Sequence, residues 1–292
     1  MGMANIQRAA IVTGAGNGLG AAFAEALAEV GTAVIVNNRR HPDRPDSAEA
    51  VAETIRALGH TAVADGHAVD AAGAGQAIVD HALTEFGRLD VLVLNAGISG
   101  PAMKVGDGET ALDEVMAINF RSAVNLVEAS LPALRESPSG RIVFVASTGG
   151  LHGVRGRAAY AASKGAMIGW ALSLADELRR TAIRVNVLTP YAATKMTARP
   201  DRSPDPRTDP KSTGPVLAWL CSSELDRTGE IWIAGAGHMR AARAMESETA
   251  AIDPAGMDKI AERLAAMPRP RFYPGGEAAF ADFYSETLES ES

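Results

Sequence analysis

Tyr160 and Lys164, with Ser147 thirteen positions before the tyrosine, are the residues whose types and spacing could do chemistry. Four residues apart on a helix, a phenol and an ammonium lie on one face. A phenol with a reference pKa of about 10 is a poor acid or base near neutral pH, but a fixed positive charge favours its phenolate. Such a tyrosine can pass a proton to or from a carbinol or carbonyl oxygen, which the Ser147 hydroxyl could hold. Taken alone, this spacing is more typical of a solvated helix face, so the prediction depends on the elements around it.

The start of the chain has the pattern of a strand, a glycine-rich turn and a helix. The apolar run 9–12 is followed by the turn and then by a helix-forming segment over residues 21–30. Gly14 permits a tight turn, Gly18 lets a backbone approach a pyrophosphate, and Gly20 allows the helix to pack close to the strand. The helix N-terminus then offers N–H groups to a phosphate. Such a turn can be purely structural, but its place between a first strand and a first helix favours nucleotide binding.

The second strand ends in Asn37, Asn38, Arg39 and Arg40. The acidic residue that would bind an adenosine ribose 2′-hydroxyl is absent there. Asn38 could replace it, and Arg39 could meet a 2′-phosphate, so charge favours NADP over NAD. The alternative is that both arginines are solvated loop residues and that Asn38 governs the ribose.

The length and composition of the chain limit the classes of protein to which it could belong. At 292 residues and 47% hydrophobic, the chain is one large domain or one domain with an appendage. The net charge of −7 and dispersed arginines exclude a nucleic-acid partner. A lone cysteine, Cys221, excludes an internal disulfide, and the six histidines show no metal-site spacing, so we expect no metal. We see no secretory signal and no apolar run of membrane-spanning length, and therefore expect a cytoplasmic protein with a small-molecule substrate and no membrane partner.

Apolar strand-like runs alternate with helical ones, which predicts an α/β fold with right-handed crossovers and a doubly wound parallel sheet of about seven strands. The predicted strands are 8–13, 32–37, 61–65, 90–95, 141–147, 182–188 and 230–234. The predicted helices lie near 18–30, 46–58, 72–86, 109–136, 158–180 and 212–222.

The remaining segments flank this core. Residues 198–211, rich in Pro and charge, predict a loop where a substrate lid would sit, the alternative being a plain surface connection. We expect the sheet to end at Gly237, which gives a catalytic domain over 1–237. Residues 238–292 would form a C-terminal appendage with helices near 256–266 and 276–289.

With Asn95-Ala96-Gly97, Asn119 and Pro190 in order around the features above, the chain resembles the short-chain dehydrogenase/reductase family over about residues 8–240. The resemblance implies a Rossmann-type fold, an NADP or NAD cofactor, and hydride transfer with a secondary alcohol or ketone. Within the family, residues 216–221 and 235–237 are similar to the (3R)-hydroxyacyl-CoA dehydrogenase part of type 2 peroxisomal multifunctional enzymes and bacterial relatives. That similarity implies a 3-hydroxyacyl thioester or a steroid-like substrate.

The resemblance also implies residue roles. Ser147 orients the substrate oxygen, Tyr160 is the acid–base group, Lys164 lowers the pKa of Tyr160 and holds the nicotinamide ribose, and Asn119 keeps a water that links Lys164 to solvent. The cofactor-binding positions are Gly14, Asn17, Gly18, Leu19, Asn38, Arg39, Asp70, Asn95, Ala96, Gly97, Tyr160, Lys164, Pro190 and Thr194. The substrate side would be formed by His152, Tyr191 and Met196.

The chain departs from the family pattern at two of these positions. Tyr191 stands where the family often has glycine, which adds bulk beside the nicotinamide and changes the shape of the pocket. Asn38 occupies the position where an acidic residue would bind the ribose 2′-hydroxyl, so the choice between NAD and NADP is not decided by such a residue.

Other functions on the same fold remain as alternatives. Epimerases and dehydratases usually show a TGxxGxxG turn and a longer chain, and this sequence has neither. A catalytically silent NAD(P)-binding regulatory or interaction protein is the second alternative, although Tyr160 and Lys164 are both present. Small residues at helical spacing over 158–180 allow close approach of another helix, and the resemblance implies a homodimer or homotetramer built on this helix.

Overall fold

The computed structural model of the protein describes residues 6–194, 205–252, 254–267 and 269–289. By internal contacts the chain divides into two compact units, Met1–Ala241 and Ala242–Ser292. The strands are β1 (Ala9–Thr13), β2 (Ala33–Asn37), β3 (Ala62–Asp65), β4 (Val91–Leu94), β5 (Arg141–Val145), β6 (Arg184–Tyr191), β7 (Ile231–Gly235) and β8 (His238–Ala242). The α-helices are α1 (Gly18–Glu29), α2 (Ser47–Ala57), α3 (Ala74–Phe86), α4 (Leu112–Met116), α5 (Ser122–Glu136), α6 (Thr148–His152), α7 (Ala158–Glu177), α8 (Gly214–Leu220), α9 (Met257–Ala265) and α10 (Gly276–Glu289).

The sheet has the strand order β3-β2-β1-β4-β5-β6-β7-β8, and the six pairings from β3 to β7 are parallel. Its central strands are buried along their whole length, as a parallel sheet between two helix layers requires. The strand order reverses between β1 and β4, and a crevice for a ligand is expected outside the carboxyl ends of the strands at such a point. The predicted doubly wound fold is confirmed.

The prediction that the sheet ends at Gly237 is wrong, because β8 adds an eighth strand at its edge. Ala236 and Gly237 have left-handed backbone conformations, with φ of 50° and 74°. Two such residues form the tight turn that reverses a strand into an antiparallel neighbour. The side chains of β8 are mostly exposed, so its sequence lacks the apolar alternation that would have indicated a strand.

The single helix predicted over 109–136 is in fact interrupted. Between α4 and α5 the residues Ala117–Arg121 form a turn of π-helix, and this widened turn carries Asn119. Such insertions into α-helices are frequent at functional sites.

In the predicted lid, Asp205 and Asp209 cap two short 3₁₀ turns, Pro206–Thr208 and Pro210–Thr213. The lid itself stays a prediction, because residues 195–204 lie outside the described part of the chain.

The position of the glycine-rich turn is fixed by the packing of α1. Phe23 and Leu27 are buried against the sheet, in one cluster with Val12 and Val36. Burial of side chains of this size stabilises the fold by about 1.5–3 kcal/mol each. The helix therefore holds its N-terminus at the carboxyl end of β1.

The second unit contains α9 and α10, close to the two helices predicted there. Arg271 Nη1 and Tyr273 Oη both donate to Asp282 Oδ2, at 2.6 and 2.5 Å. Glu246 and Arg271 exchange two main-chain hydrogen bonds of 2.9 and 3.1 Å. The boundary between the units falls at residues 241 and 242, and the domain division at residue 237 stays a prediction.

Candidate active site

A crevice of about 620 Å³ runs along the carboxyl ends of the central strands. Its lining comes from the segments that follow the six strands β1 to β6, from Ile118, and from the first two turns of α1 and α7. Sequence-distant residues therefore meet there because parallel strands all end at the same edge of the sheet.

One end of the crevice fits the diphosphate of a dinucleotide. Gly18, Leu19 and Gly20 line it as the first residues of α1, whose initial N–H groups have no partner within the helix. A Cβ atom on Gly20 would lie 2.2 Å from the carbonyl oxygen of Gly14, and one on Gly14 would lie 2.9 Å from Ala96 Cα. Only glycine fits these two positions, so the turn packs closely against the start of α1 and against the segment that follows β4.

The adenosine end is formed by the residues that follow β2. Asn37 lines the crevice, and its Oδ1 is a buried acceptor without a hydrogen-bond partner among the described residues. Its Nδ2 donates to Asp65 Oδ1 at 2.7 Å, which fixes the orientation of the amide. Asn38 Nδ2 donates to Ser47 Oγ at 2.8 Å. An acceptor without a partner in a residue that lines the crevice suits a ribose hydroxyl, and Asn37 was not singled out from the sequence for this role.

The two neighbouring arginines differ in their surroundings. Arg39 lines the crevice, together with His41 and the carboxylate of Asp70. Arg40 is not among the lining residues and pairs with Asp46 at 2.7 Å. Among the residues that line this end, the positive charge is therefore supplied by Arg39.

At the opposite end, Ser147, Tyr160 and Lys164 line the crevice together. Lys164 is buried, and its Nζ donates to the carbonyl oxygen of Val145 at 2.8 Å and contacts Met167 Sδ at 3.4 Å. Burial lowers the pKa of Lys164 to about 8, which leaves the ammonium charged at neutral pH. The predicted common face of Tyr160 and Lys164 is present in the geometry.

The phenol of Tyr160 is not a ready base in this structure. Burial raises the pKa of Tyr160 above its ordinary value, against the effects of a hydrogen bond with Ser147 and the positive charge of Arg157. Arg157 was not singled out from the sequence, although it lies one helical turn before the tyrosine. The role of Lys164 in lowering the pKa of Tyr160 stays a prediction.

Ser147 and Asn119 are both fixed by the main chain. Ser147 caps α6, where its Oγ accepts a hydrogen bond from the Gly149 N–H at 3.1 Å. Asn119 is fully buried and does not line the crevice. Its Oδ1 accepts from the Ile98 N–H at 2.7 Å, and its Nδ2 donates to the Ile98 carbonyl and to Ser163 Oγ, both at 2.9 Å. Asn119 thus joins the segment after β4 to α7.

The structure brings together nearly all the residues predicted from the sequence. Those that line the crevice are Gly14, Asn17, Gly18, Leu19, Asn38, Arg39, Asp70, Asn95, Ala96, Gly97, Ser147, Tyr160, Lys164, Pro190, Tyr191 and Thr194. His152 is exposed at the end of α6 and is not among them, and Met196 lies outside the described residues. Lining residues that sequence analysis missed include Asn37, His41, Ile98, Ser99, Thr148 and Arg157.

In the described ranges of the chain, no group of three or more His, Cys, Asp or Glu side chains could hold a metal ion. None of the helices in those ranges is long and apolar enough to cross a bilayer.

Comparison with known proteins gives concordant similarities. The family model for short chain dehydrogenases matches residues 8–204. The peroxisomal multifunctional enzyme type 2 of Drosophila melanogaster is 34% identical over 237 residues, which cover 79% of this chain and 39% of that protein. A 3-oxoacyl-[acyl-carrier-protein] reductase of Staphylococcus aureus is 36% identical over 183 residues, which cover 63% and 73% of the two chains.

A solved structure agrees with these similarities. The crystal structure of a short chain dehydrogenase from Mycobacterium avium has a TM-score of 0.79 and 31% identity, and the match covers 91% of this chain and 98% of that one. The chain spans only 32–54% of the length of the peroxisomal multifunctional enzymes that it matches.

Proposed function

We propose, because the chain belongs to the short-chain dehydrogenase family of oxidoreductases, that it transfers hydride between NADP and the secondary alcohol or ketone of a 3-hydroxyacyl compound. The observation that carries this proposal is the placement of Ser147, Tyr160 and Lys164 at one end of a crevice whose other end is the glycine-rich turn. When bound, the dinucleotide supplies the hydride acceptor in one direction and the donor in the other.

Ser147 and Tyr160 have different roles at the substrate oxygen in this proposal. Ser147 Oγ and the Tyr160 hydroxyl hold that oxygen, and Tyr160 takes its proton during oxidation and returns it during reduction. Moving the pKa of a phenol from about 10 to about 7 requires about 4 kcal/mol of preferential stabilisation of the phenolate. An exposed lysine would contribute only about 0–1 kcal/mol. The burial of Lys164 lets its charge act through a medium of lower dielectric constant, where it is worth several times more.

The preference for NADP rests on charge at the adenosine end. A 2′-phosphate carries negative charge, and Arg39 faces the crevice there while Arg40 is paired with Asp46. The carboxylate that selects a free 2′-hydroxyl is absent from the end of β2, where Asn37 and Asn38 stand instead.

The acyl substrate is proposed from relatives and from the lining of the crevice. The Staphylococcus aureus relative is named for a 3-oxoacyl substrate, and a Neurospora crassa relative of 32% identity is named a hydratase-dehydrogenase-epimerase. Ile98, Val154 and Tyr191 give the substrate end an apolar surface against which a short acyl chain can pack.

The test is a change in absorbance at 340 nm with NADPH or NADH and a panel of ketones, which includes a 3-oxoacyl thioester and a ketosteroid. We expect oxidation of NADPH with the 3-oxoacyl compound and slower turnover of the steroid. If the dinucleotide binds but no ketone is turned over, the protein is a catalytically silent NAD(P)-binding protein and the proposal is wrong.

The assembly and compartment stay predictions. Ala158, Ala162 and Gly169 are exposed small residues on α7, which supports a homodimer or homotetramer built on this helix. Light scattering coupled to gel filtration measures the mass. A cytoplasmic location was predicted, whereas several relatives are named as peroxisomal.

A further inference from the structure

Arg157 brings a cation to the substrate end of the crevice. It immediately precedes α7 and lies three positions before Tyr160. Both residues line the crevice. The positive charge of Arg157 counts among the influences that lower the pKa of Tyr160, which is consistent with a guanidinium close to the phenol.

The guanidinium is held in place from one side only. Arg157 Nη1 donates to the carbonyl oxygen of Gly100 at 2.8 Å. The main chain is held as well, because the Met103 N–H donates to the Gly156 carbonyl at 2.9 Å. Among the described residues, no hydrogen-bond partner is found for Nε or Nη2 of Arg157. These two nitrogens are therefore available to a ligand in the crevice.

No carboxylate of the described ranges neutralises this charge. The ion pairs found there involve other cationic residues, and the one acidic lining residue is Asp70, at the adenosine end. Lys164, the other cation at the reactive end, is buried and donates to Val145. At a half-buried guanidinium without a counter-ion, a bound anion is stabilised by the attraction of opposite charges and by two parallel hydrogen bonds.

We infer that Arg157 binds a carboxylate of the substrate close to the reacting carbon, so that among 3-oxo and 3-hydroxyacyl compounds the enzyme prefers the anion of the free acid over its neutral ester or thioester. The inference rests on the proposed hydride transfer for the position of the reacting carbon. The carboxylate fits because its two oxygens match the planar fork of a guanidinium, whereas an ester or thioester carbonyl offers one uncharged acceptor. Arg157 is in this sense a specificity-determining residue.

The kinetic test compares acetoacetate with methyl acetoacetate, which differ in charge at the carboxyl group. For the unaltered protein we expect kcat/KM to be about 10- to 100-fold higher for acetoacetate, as a charge-assisted pair of hydrogen bonds predicts. Arg157→Gln should abolish this ratio, mainly through KM, and Arg157→Lys should retain part of it. Arg155→Gln is the matched control, because Arg155 is exposed and does not line the crevice, and it should leave the ratio unchanged.

A second measurement does not need turnover. Saturation-transfer NMR in the presence of NADP compares butanoate with butanamide, two unreactive molecules of similar size. We expect signal transfer to butanoate in the unaltered protein and its loss in Arg157→Gln, with NADP binding retained as evidence of folding.

Two results would overturn the inference. The first is an equal fall in kcat/KM for acetoacetate and its ester in Arg157→Gln, which would indicate that Arg157 only anchors the segment at Gly100. The second is equal binding of butanoate to both proteins. If instead no ketone is reduced but butanoate binding requires Arg157, the proposed function fails and the anion site stands.

Discussion

Lys164 Nζ lies 6.0 Å from the centroid of the Tyr160 ring and donates its hydrogen bond to the carbonyl oxygen of Val145 instead of to the phenol. The proposed mechanism therefore requires its charge to act on the tyrosine through space, across a buried region. Burial has a cost for the lysine itself, because it lowers the pKa of Lys164 to about 8. The fold thus holds a destabilised charge at the position where the proposed acid–base chemistry needs one.

Replacement of Lys164 by methionine should stabilise the fold and abolish turnover. Lowering the pKa of the lysine from 10.5 to about 8 amounts to about 3 kcal/mol. Loss of the hydrogen bond to Val145 offsets about 1 kcal/mol of this, so we expect the free energy of unfolding at pH 7 to rise by about 2 kcal/mol. Urea denaturation measures the change.

The pH dependence of the difference in unfolding free energy between Lys164→Met and the unaltered protein tests whether burial of the lysine charge causes that difference. Below pH 8 the lysine is charged in both the folded and unfolded states, so its full penalty is present. Between pH 8 and 10.5 the folded state loses the proton first, and the unfolded state binds more protons, so the unaltered protein gains stability as pH rises. The advantage of Lys164→Met should shrink over that range. Lys104→Met, at an exposed position, should show no such dependence; a constant difference at Lys164 would contradict the burial argument.

Tyr160→Phe should separate chemistry from binding. The variant keeps the ring but lacks the proton that the proposed mechanism exchanges, and loss of a positioned acid–base group reduces turnover by about 10²- to 10⁴-fold. We expect the dissociation constant of NADP, measured by fluorescence titration, to change by less than about threefold. Turnover at an undiminished rate in a correctly folded variant would remove Tyr160 from the acid–base role.

Much of the fold and site could be predicted because the signals are local. Strands such as β4 are apolar on both faces, and the glycine-rich turn is recognisable from residue type alone. In contrast, β8 is exposed and lacks an apolar pattern. The position of Arg157 in the crevice depends on contacts with Gly100 and Met103, which are more than fifty positions earlier in the chain. Sequence spacing does not report such contacts.

The surroundings of Asn119 could not be predicted from sequence spacing either, because this residue in the π-turn forms hydrogen bonds with the distant residues Ile98 and Ser163. Asn119→Ala would leave the Ile98 N–H and carbonyl without these partners, and we expect a loss of about 2–4 kcal/mol in the free energy of unfolding. Ser163→Ala should cost about 1 kcal/mol. Because the two side chains share a hydrogen bond, the double variant should lose less than the sum, by about 0.5–1 kcal/mol. Strict additivity in urea denaturation would show that the contact does not contribute.

The two adjacent arginines after β2 offer a test of cofactor choice within one short segment. Arg39 lines the crevice and Arg40 pairs with Asp46, although both are exposed and carry the same charge. Arg39→Gln should weaken NADP binding by about 10- to 100-fold, because a charge-assisted contact with the 2′-phosphate is lost, and should leave NAD binding nearly unchanged. Arg40→Gln is the matched control and should alter neither affinity by more than about threefold, since an exposed ion pair contributes about 0–1 kcal/mol. Calorimetric titration of both dinucleotides measures the two affinities side by side. Equal losses of NADP affinity in the two variants would mean that general positive charge, and not the position of Arg39 in the lining of the crevice, sets the preference for NADP. No loss in either variant would leave Asn37 and Asn38 as the residues that bind the ribose.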